Sequence, residues 1–416
     1  MNKRSLLIIF GAVAILNLTE VNIVFANESL KPESVFREYT YKKDVTPFKG
    51  DFAYYDSVKA VLNIEDLKDA SSAEIALNYW GGHIGTSDQF FRINNSQKIE
   101  FPQPETPGNP YCYFRCNHGN PPVKIPLESL KKGENIFTFY CGKQICYSFN
   151  WPHYIVNSFT VRVYYKPGTK NCVIGKINKI NEVETATTGI KFKTDVDDIS
   201  EVESVEYIGY YEDYDLDGDG NSTGWQYRIN ESVWEGIIGK QTVSPYNVKW
   251  ENSWVPKQSN AVKVLAKINS KNGLSYLSTP IEFAQLRQSK IVVKIYNTTK
   301  VDEYFGVRDG LRKLCKIIIP DSLTNAISAQ IIVSSWSAAT EDGAILLMGI
   351  NRKKLAESPG KLHEWELLKI PVPLDYLKQG ENIFFIYSET EGHMFEVNFP
   401  GPSILIQFAL TEKTDK

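Results

Sequence analysis

The sequence predicts an all-β protein of about three domains, and three observations carry that expectation: chain length, aromatic content, and a segment that occurs twice. At 416 residues the chain exceeds a single module, because domains run to roughly 100–200 residues. Hydrophobic residues make up 42% and charged residues 23%, which suits a chain that buries cores rather than one that stays disordered. The 23 Tyr, 21 Phe and 8 Trp stand against only 3 Met, and aromatic side chains favour half-buried pleated surfaces. The 46 basic and 49 acidic residues nearly cancel and no Lys/Arg cluster stands out, so the electrostatic footprint of a nucleic-acid binder is missing.

The chain opens with the basic stretch Met1-Asn2-Lys3-Arg4, then an apolar run over 6–18, then Val24-Phe25-Ala26 before Asn27. This order reads as a secretory signal peptide over 1–26. The competing reading is a membrane anchor, but Asn17 and Glu20 hold the apolar run below the ~20 residues a spanning helix needs. The expected destination is secreted, periplasmic or cell-surface.

The first domain is expected over 27–170. Segments 59–63, 73–80, 135–140 and 158–165 are rich in β-branched and aromatic residues and bounded by Gly, Asn, Asp or Pro, the signature of short strands. Within it Cys112, Cys116, Cys141 and Cys146 form a cluster. In an oxidising compartment these read as two disulfides, with Cys141 and Cys146 the first guess because they flank a turn-like segment. A tetrahedral zinc site built from these four thiolates, or from a set that includes His118, is the alternative. Cys172 and Cys315 read as buried thiols or as a bridge between domains.

A smaller sandwich is expected over 171–286, with strands at 202–211, 226–229, 261–268 and 277–283 in an immunoglobulin-like or fibronectin-like arrangement. The Cys–Trp–Cys spacing of true immunoglobulin domains is absent. This region carries the strongest chemical signal in the chain, Asp213, Asp215, Asp217 and Asp219 followed by Asn221, with Gly218 and Gly220 between. Carboxylates at every second position converge on one hard cation, and Gly permits the sharp turn of a calcium loop. Position twelve of either possible frame is Gly224 or Gln226 rather than the bidentate Glu of an EF-hand, so the expectation is a structural calcium in a β-loop. A solvated turn capped by the same residues is the alternative. Tyr210, Tyr211, Tyr214, Trp225, Tyr227 and Trp234 surround the run, and Trp250 and Trp254 flank a further loop.

The last domain, 287–416, repeats the first. Residues 125–137 read IPLESLKKGENIF and residues 370–384 read IPVPLDYLKQGENIF. Upstream, Leu67, Ala70, Ala73 and Trp80 match Leu323, Ala326, Ala329 and Trp336 at equal spacing, and Arg92-Ile93-Asn94 meets Gly349-Ile350-Asn351. Such self-similarity marks a folding unit, and many short strands without α/β alternation point to sandwiches or jelly rolls. Gly133 and Gly380 read as turn residues with positive φ, and Asn135 and Asn382 as partners of local backbone. The L-x-x-G-x-N segment, the early strand ending at Trp and the closing strand make both copies, about 40–166 and 287–410, resemble the galactose-binding-like β-jelly roll. That resemblance implies two jelly-roll sandwiches flanking the smaller one, in a secreted bacterial glycan-handling protein, and sugar binding as the function.

Catalytic motifs are missing: no nucleophile elbow, zinc-protease helix, P-loop or dinucleotide fingerprint appears. Sugar recognition asks for less, namely an aromatic face for the apolar side of a pyranose and a few polar side chains for its hydroxyls. The candidates are Tyr79 and His83 at the end of one strand, and Trp151, His153 and Tyr154 just before another. Trp80 reads as packing rather than platform, because Trp336 holds the same place in the second copy. The expected function is glycan binding without catalysis; a glycan hydrolase or lyase, and an adhesion or scaffold protein, are the alternatives.

Overall fold

The computed structural model describes residues 31–47, 59–82, 86–101, 118–119, 122–143, 145, 154–180, 189–215, 223–225, 228–230, 233–235, 237–283, 286, 290–301, 305–337, 343–360 and 365–410. The predicted signal peptide lies outside these residues. Among them the protein is all-β, with antiparallel sheets packed as sandwiches and helical geometry confined to short 3₁₀ turns. No helix of the described residues is long and apolar enough to cross a membrane.

Among the described residues, three large hydrophobic cores organise the fold. In the N-terminal sandwich, the strands Ala70–Trp80 and Ile155–Tyr165 pair antiparallel and turn Ala73, Ile75, Leu77, Val161 and Val163 inward. Facing them, the strands Lys59–Ile64, Gly133–Tyr140 and Phe90–Ile93 contribute Leu62, Ile64, Phe91, Phe137 and Phe139. Side chains alternate across a strand with period two, so each of these segments buries one face. In the C-terminal sandwich the strands Ala326–Trp336 and Ser403–Ala409 form one layer, and Leu311–Ile319, Gly380–Ser388 and Leu346–Ile350 the other. The middle core lies between the sheet that holds Val202–Glu212 and Val262–Ser270 and the sheet of Gly175–Ile180, Ile190–Val196 and Val248–Trp250.

The N-terminal and middle sandwiches share one sheet. The strand Val35–Tyr41 pairs with Ile155–Tyr165 on one side and with Leu274–Leu277 on the other, and Leu274–Leu277 continues to Val262–Ser270. A row of alternating charges crosses this shared sheet. Glu74 opposes Arg162, Arg162 opposes Glu38, and Glu206 opposes both Lys267 and Lys240 in register. Arg162 contacts Glu38 at 2.7 Å and Glu74 at 3.4 Å, Lys267 bridges Glu38 at 2.5 Å and Glu206 at 3.5 Å, and Lys240 closes the row on Glu206 at 2.9 Å. Directly opposed unlike charges stabilise strand pairs, and here the row fixes the register across the seam. The predicted strand at 277–283 is two strands, Leu274–Leu277 and Ile281–Phe283, because Leu274–Leu277 is drawn toward Val35–Tyr41.

The C-terminal sandwich docks on the middle one through Tyr214 and Trp254, which pack on Val293, Ile332, Leu405 and Leu367. Lys257 N–H donates to the Val293 carbonyl at 2.9 Å, and Gln407 Nε2 to the Ser253 carbonyl at 2.8 Å.

Candidate functional site

Strand alternation sorts the predicted site residues. On Ala70–Trp80, Tyr79 shares the inward face with Leu77 and is 3% exposed, its ring meeting Phe101 edge-on at 5.2 Å. Tyr154 is fully buried, and its hydroxyl is 3.1 Å from the Tyr140 carbonyl and 3.3 Å from that of Phe90. Burial pushes its phenol well above the ordinary value. Neither Tyr79 nor Tyr154 is a surface platform; both rings complete the N-terminal core. His83, Trp151 and His153 lie outside the described residues, as do Asp217, Asp219, Asn221, Cys112, Cys116 and Cys146.

Trp80, one residue further on, points away from that core. It packs with Ile155 and with Trp336, the residue that ends the strand Ala326–Trp336 in the C-terminal sandwich. The same alternation operates there: Ala329, Ile331 and Val333 face inward and Ile332 outward, while Trp336 at the strand end touches both its own core and Trp80. The two tryptophans therefore meet each other across the gap between the sandwiches. The sequence reading of Trp80 as packing is right about its burial, at 7% exposure, but its partner is the other sandwich.

His393 completes the cluster. Its ring stands edge-on to Trp336 at 5.7 Å and 89°. The loop beneath is pinned from several sides: Thr390 Oγ1 donates to the His393 carbonyl, Asp309 N–H to the Thr390 carbonyl at 2.8 Å, and Arg308 Nη1 to the Gly392 carbonyl at 3.2 Å. His393 is thus an exposed imidazole on a half-buried indole, held by a braced loop. The register sets Trp80 opposite Ile155 on one side and opposite His118 on the other. Trp336 and His393 were not among the predicted ligand-binding residues; the repeat alignment that equated Trp336 with Trp80 was the signal.

The acidic run begins on a fixed anchor. Tyr214, between Asp213 and Asp215, donates its hydroxyl to the Gly401 carbonyl at 2.5 Å, and Gly401 has φ +98°. Glu212 accepts from Ser259 N–H at 3.1 Å and from Asn260 Nδ2 at 3.2 Å. Tyr211 and Trp250 are core residues, 5.1 Å apart, so Trp250 is not a platform either, and Trp254 is spent on the C-terminal docking surface. Of the clustered cysteines, Cys141 is buried with Sγ 3.5 Å from the Pro47 carbonyl. Cys172 is a free thiol beside Ser270 Oγ at 3.5 Å, which overturns the reading of Cys172 and Cys315 as a bridge between domains: Cys315 instead lies 3.8 Å from Thr298 Oγ1 in the C-terminal core. Burial raises the Cys172 thiol above its ordinary value.

No family model and no curated protein matches this chain. Among solved structures it is similar to a family 86 glycoside hydrolase in complex with neoagarooctaose, at 10% identity and a TM-score of 0.24 over 58% of this chain and 33% of that one. It is similar to a β-porphyranase of the same family from the human gut bacterium Bacteroides plebeius, at 10% identity and 0.24 over 57% and 37%. A third is the Endo-D glycoside hydrolase domain of Streptococcus pneumoniae R6, at 8% identity and 0.23 over 60% and 37%. The match spans about a third of the length of these proteins. Scores of this size leave function to be read from the chain's own residues.

Proposed function

We propose that this chain is an exported glycan-binding protein that holds a polysaccharide without cutting it, built from two galactose-binding-like modules around an immunoglobulin-like one. The supporting observation is the apposition of Trp80, Trp336 and His393 where the two sandwiches meet. An indole face, here that of the half-buried Trp336 seated on Trp80, covers the C–H side of a pyranose, and an imidazole pairs with its hydroxyls as donor and acceptor. Because Trp336 of one sandwich is seated on Trp80 of the other, the site lies where the two modules meet. In the same reading, the run Asp213 to Asn221 holds a structural calcium, ordered from the Tyr214 anchor.

The test is retention of the chain from Asn27 onward by a panel of soluble polysaccharides, with and without calcium, while the same mixtures are assayed for new reducing ends or unsaturated products. Retention without product, weakened by His393→Ala, supports the reading. Product formation replaces it with a hydrolase or lyase, and absence of both replaces it with an adhesion or scaffold role.

A further inference from the structure

Away from the tryptophan junction, the C-terminal sandwich turns one strand face outward. On Leu311–Ile319 and Gly380–Ser388 the register sets Arg312 opposite Tyr387, Leu314 opposite Phe385, Lys316 opposite Ile383 and Ile318 opposite Glu381. The alternate residues Cys315, Ile317, Phe384 and Ile386 fill the core, so this set faces the other way. Leu314 is 54% exposed and Ile318 39%, and Lys316 pairs with Glu381 at 2.8 Å.

The chemistry centres on Arg312. Its guanidinium lies 4.5 Å from the Phe385 ring centroid and 5.9 Å from that of Tyr387. Phe385 is itself fixed: its ring reaches over Gly349, where a Cβ would come within 2.3 Å of it, so glycine is required beneath the ring. Stacking on an aromatic face pre-organises the guanidinium fork and reduces the entropy lost when it binds. Yet among the described residues no carboxylate neutralises Arg312 and no acceptor takes its N–H groups.

The N-terminal sandwich provides the contrast. There Tyr140 stacks on Phe90 at 4.7 Å on the strands that match Tyr387 and Leu347, and Lys98 sits 4.7 Å over Phe90. That cation is already paired, with Glu100 at 2.8 Å and Asp88 at 3.8 Å. Each module thus sets a cation over an outward aromatic ring, from opposite edges of the matching sheet, and among the described residues only Lys98 is paired with carboxylates.

We propose that the outward face around Arg312, Leu314 and Tyr387 is a second carbohydrate surface, specific for polysaccharides bearing carboxylate or sulfate groups. The proposal rests on the glycan-binding reading above. The planar fork matches either anion with two parallel hydrogen bonds; Leu314 and Ile318 receive the apolar face of the sugar, and the Lys316–Glu381 pair its hydroxyls. Overall charge does not supply the attraction, because the chain is formally −3 and would repel a polyanion.

The experiment compares polygalacturonate, dextran sulfate and unsubstituted dextran as ligands for wild type, Arg312→Gln, Arg312→Lys and Lys176→Gln, with melting curves to confirm folding. The expected result is binding to at least one anionic polymer, weakened about tenfold by Arg312→Gln as befits loss of a hydrogen bond to a charged group. Arg312→Lys should recover part of that loss, and Lys176→Gln, an exposed charge removed elsewhere, should match wild type. Which polymer responds tells carboxylate from sulfate. Equal affinity of wild type and Arg312→Gln overturns the proposal. Failure of both anionic polymers, while neutral glycans still bind in a His393-dependent way, also overturns it but spares the junction site. Failure of every polymer removes both readings and assigns the face to a protein partner.

Discussion

The side-chain amide of Asn94 donates to the side-chain oxygen of Asn135 at 2.8 Å, and Asn351 makes the same bond to Asn382 at 2.8 Å. Around each pair the network is the same. Asn135 accepts from Lys131 N–H and donates to the Lys131 and Gly133 carbonyls, and Asn94 accepts from Ile136 N–H. Asn382 and Asn351 do so with Lys378, Gly380 and Ile383. The inner asparagines are fully buried, the outer ones stand at φ +48° and +49°, and the glycines between turn and strand at +94° and +93°. Each network stitches a 3₁₀ turn to the start of a core strand and to the neighbouring strand end.

Asn135→Ala and Asn382→Ala should therefore each lower stability by about 3 kcal/mol, because each removes a buried side chain that bonds three backbone groups of its turn and the outer asparagine at once. Urea midpoints measure this. Asn135→Asp should cost a similar amount, since a carboxylate cannot donate to the two carbonyls. A change no larger than that of a surface Asn→Ala control would show that water or neighbouring groups replace the network.

Breaking the charge row should be more costly than deleting it. Lys267, 4% exposed at its side chain, stands between Glu38 and Glu206, so Lys267→Met leaves two mostly buried carboxylates facing each other. A loss of about 3–5 kcal/mol is expected for a broken buried pair. Adding Glu38→Gln and Glu206→Gln to the same chain should recover most of it. If the triple variant is no more stable than Lys267→Met, the row acts through packing rather than charge.

What could be read from sequence was what is local. Gly133 and Asn135 carry their turn chemistry within a few residues, so their roles were visible before any fold, as was the strand that follows them. Alternation along Ala70–Trp80 was visible too, but its phase was not: nothing local says that Tyr79 takes the core and Trp80 the outside. Tyr154 looked like loop surface because the proline before it hides that its ring seats under the Phe90 strand. The shared sheet depends on Leu274–Leu277 reaching Val35–Tyr41, and the junction on Trp80 meeting Trp336. Both contacts join residues hundreds of positions apart, which one sequence has no means of showing.

The alkaline limit of stability should carry the mark of buried tyrosines. Burial pushes the Tyr207 phenol up to about 12, although the Thr194 hydroxyl that donates to it at 2.8 Å works in the other direction. The folded value lies above the unfolded one, near 10. The contribution is therefore complete below about pH 10 and is lost as pH rises through the folded value near 12. Stability should fall over that window, with tyrosinate absorbance appearing as the chain unfolds, and Tyr207→Phe should fall less steeply. A slope unchanged by the substitution would assign the loss to other groups.

The calcium proposal makes a conditional prediction. Asp217→Ala should lower the melting temperature when calcium is present and leave it unchanged after chelation, because only the metal-bound loop loses a ligand. Tyr214→Phe tests the link to docking: without its hydroxyl bond to the Gly401 carbonyl, the anchor at the head of the run is weakened and calcium affinity should drop. Equal Asp217→Ala shifts with and without chelator would retire the metal and leave a solvated turn.

Binding at the tryptophan junction should separate from stability. His393 is exposed and its loop is held through the His393 and Gly392 carbonyls, which accept from Thr390 Oγ1 and Arg308 Nη1, so His393→Ala removes a hydroxyl partner without unseating Trp336; polysaccharide affinity should fall about tenfold with little change in melting. Trp336→Ala should abolish binding and also lower stability, since that ring packs on Trp80. Trp336→Phe keeps an aromatic face in place and should retain part of the affinity, which a purely structural tryptophan would not require. Trp151→Ala probes whether the preceding loop adds its own ring to the same ligand, and affinity equal to wild type would confine recognition to the junction. If His393→Ala and Trp336→Phe both bind as wild type does, the junction is packing alone.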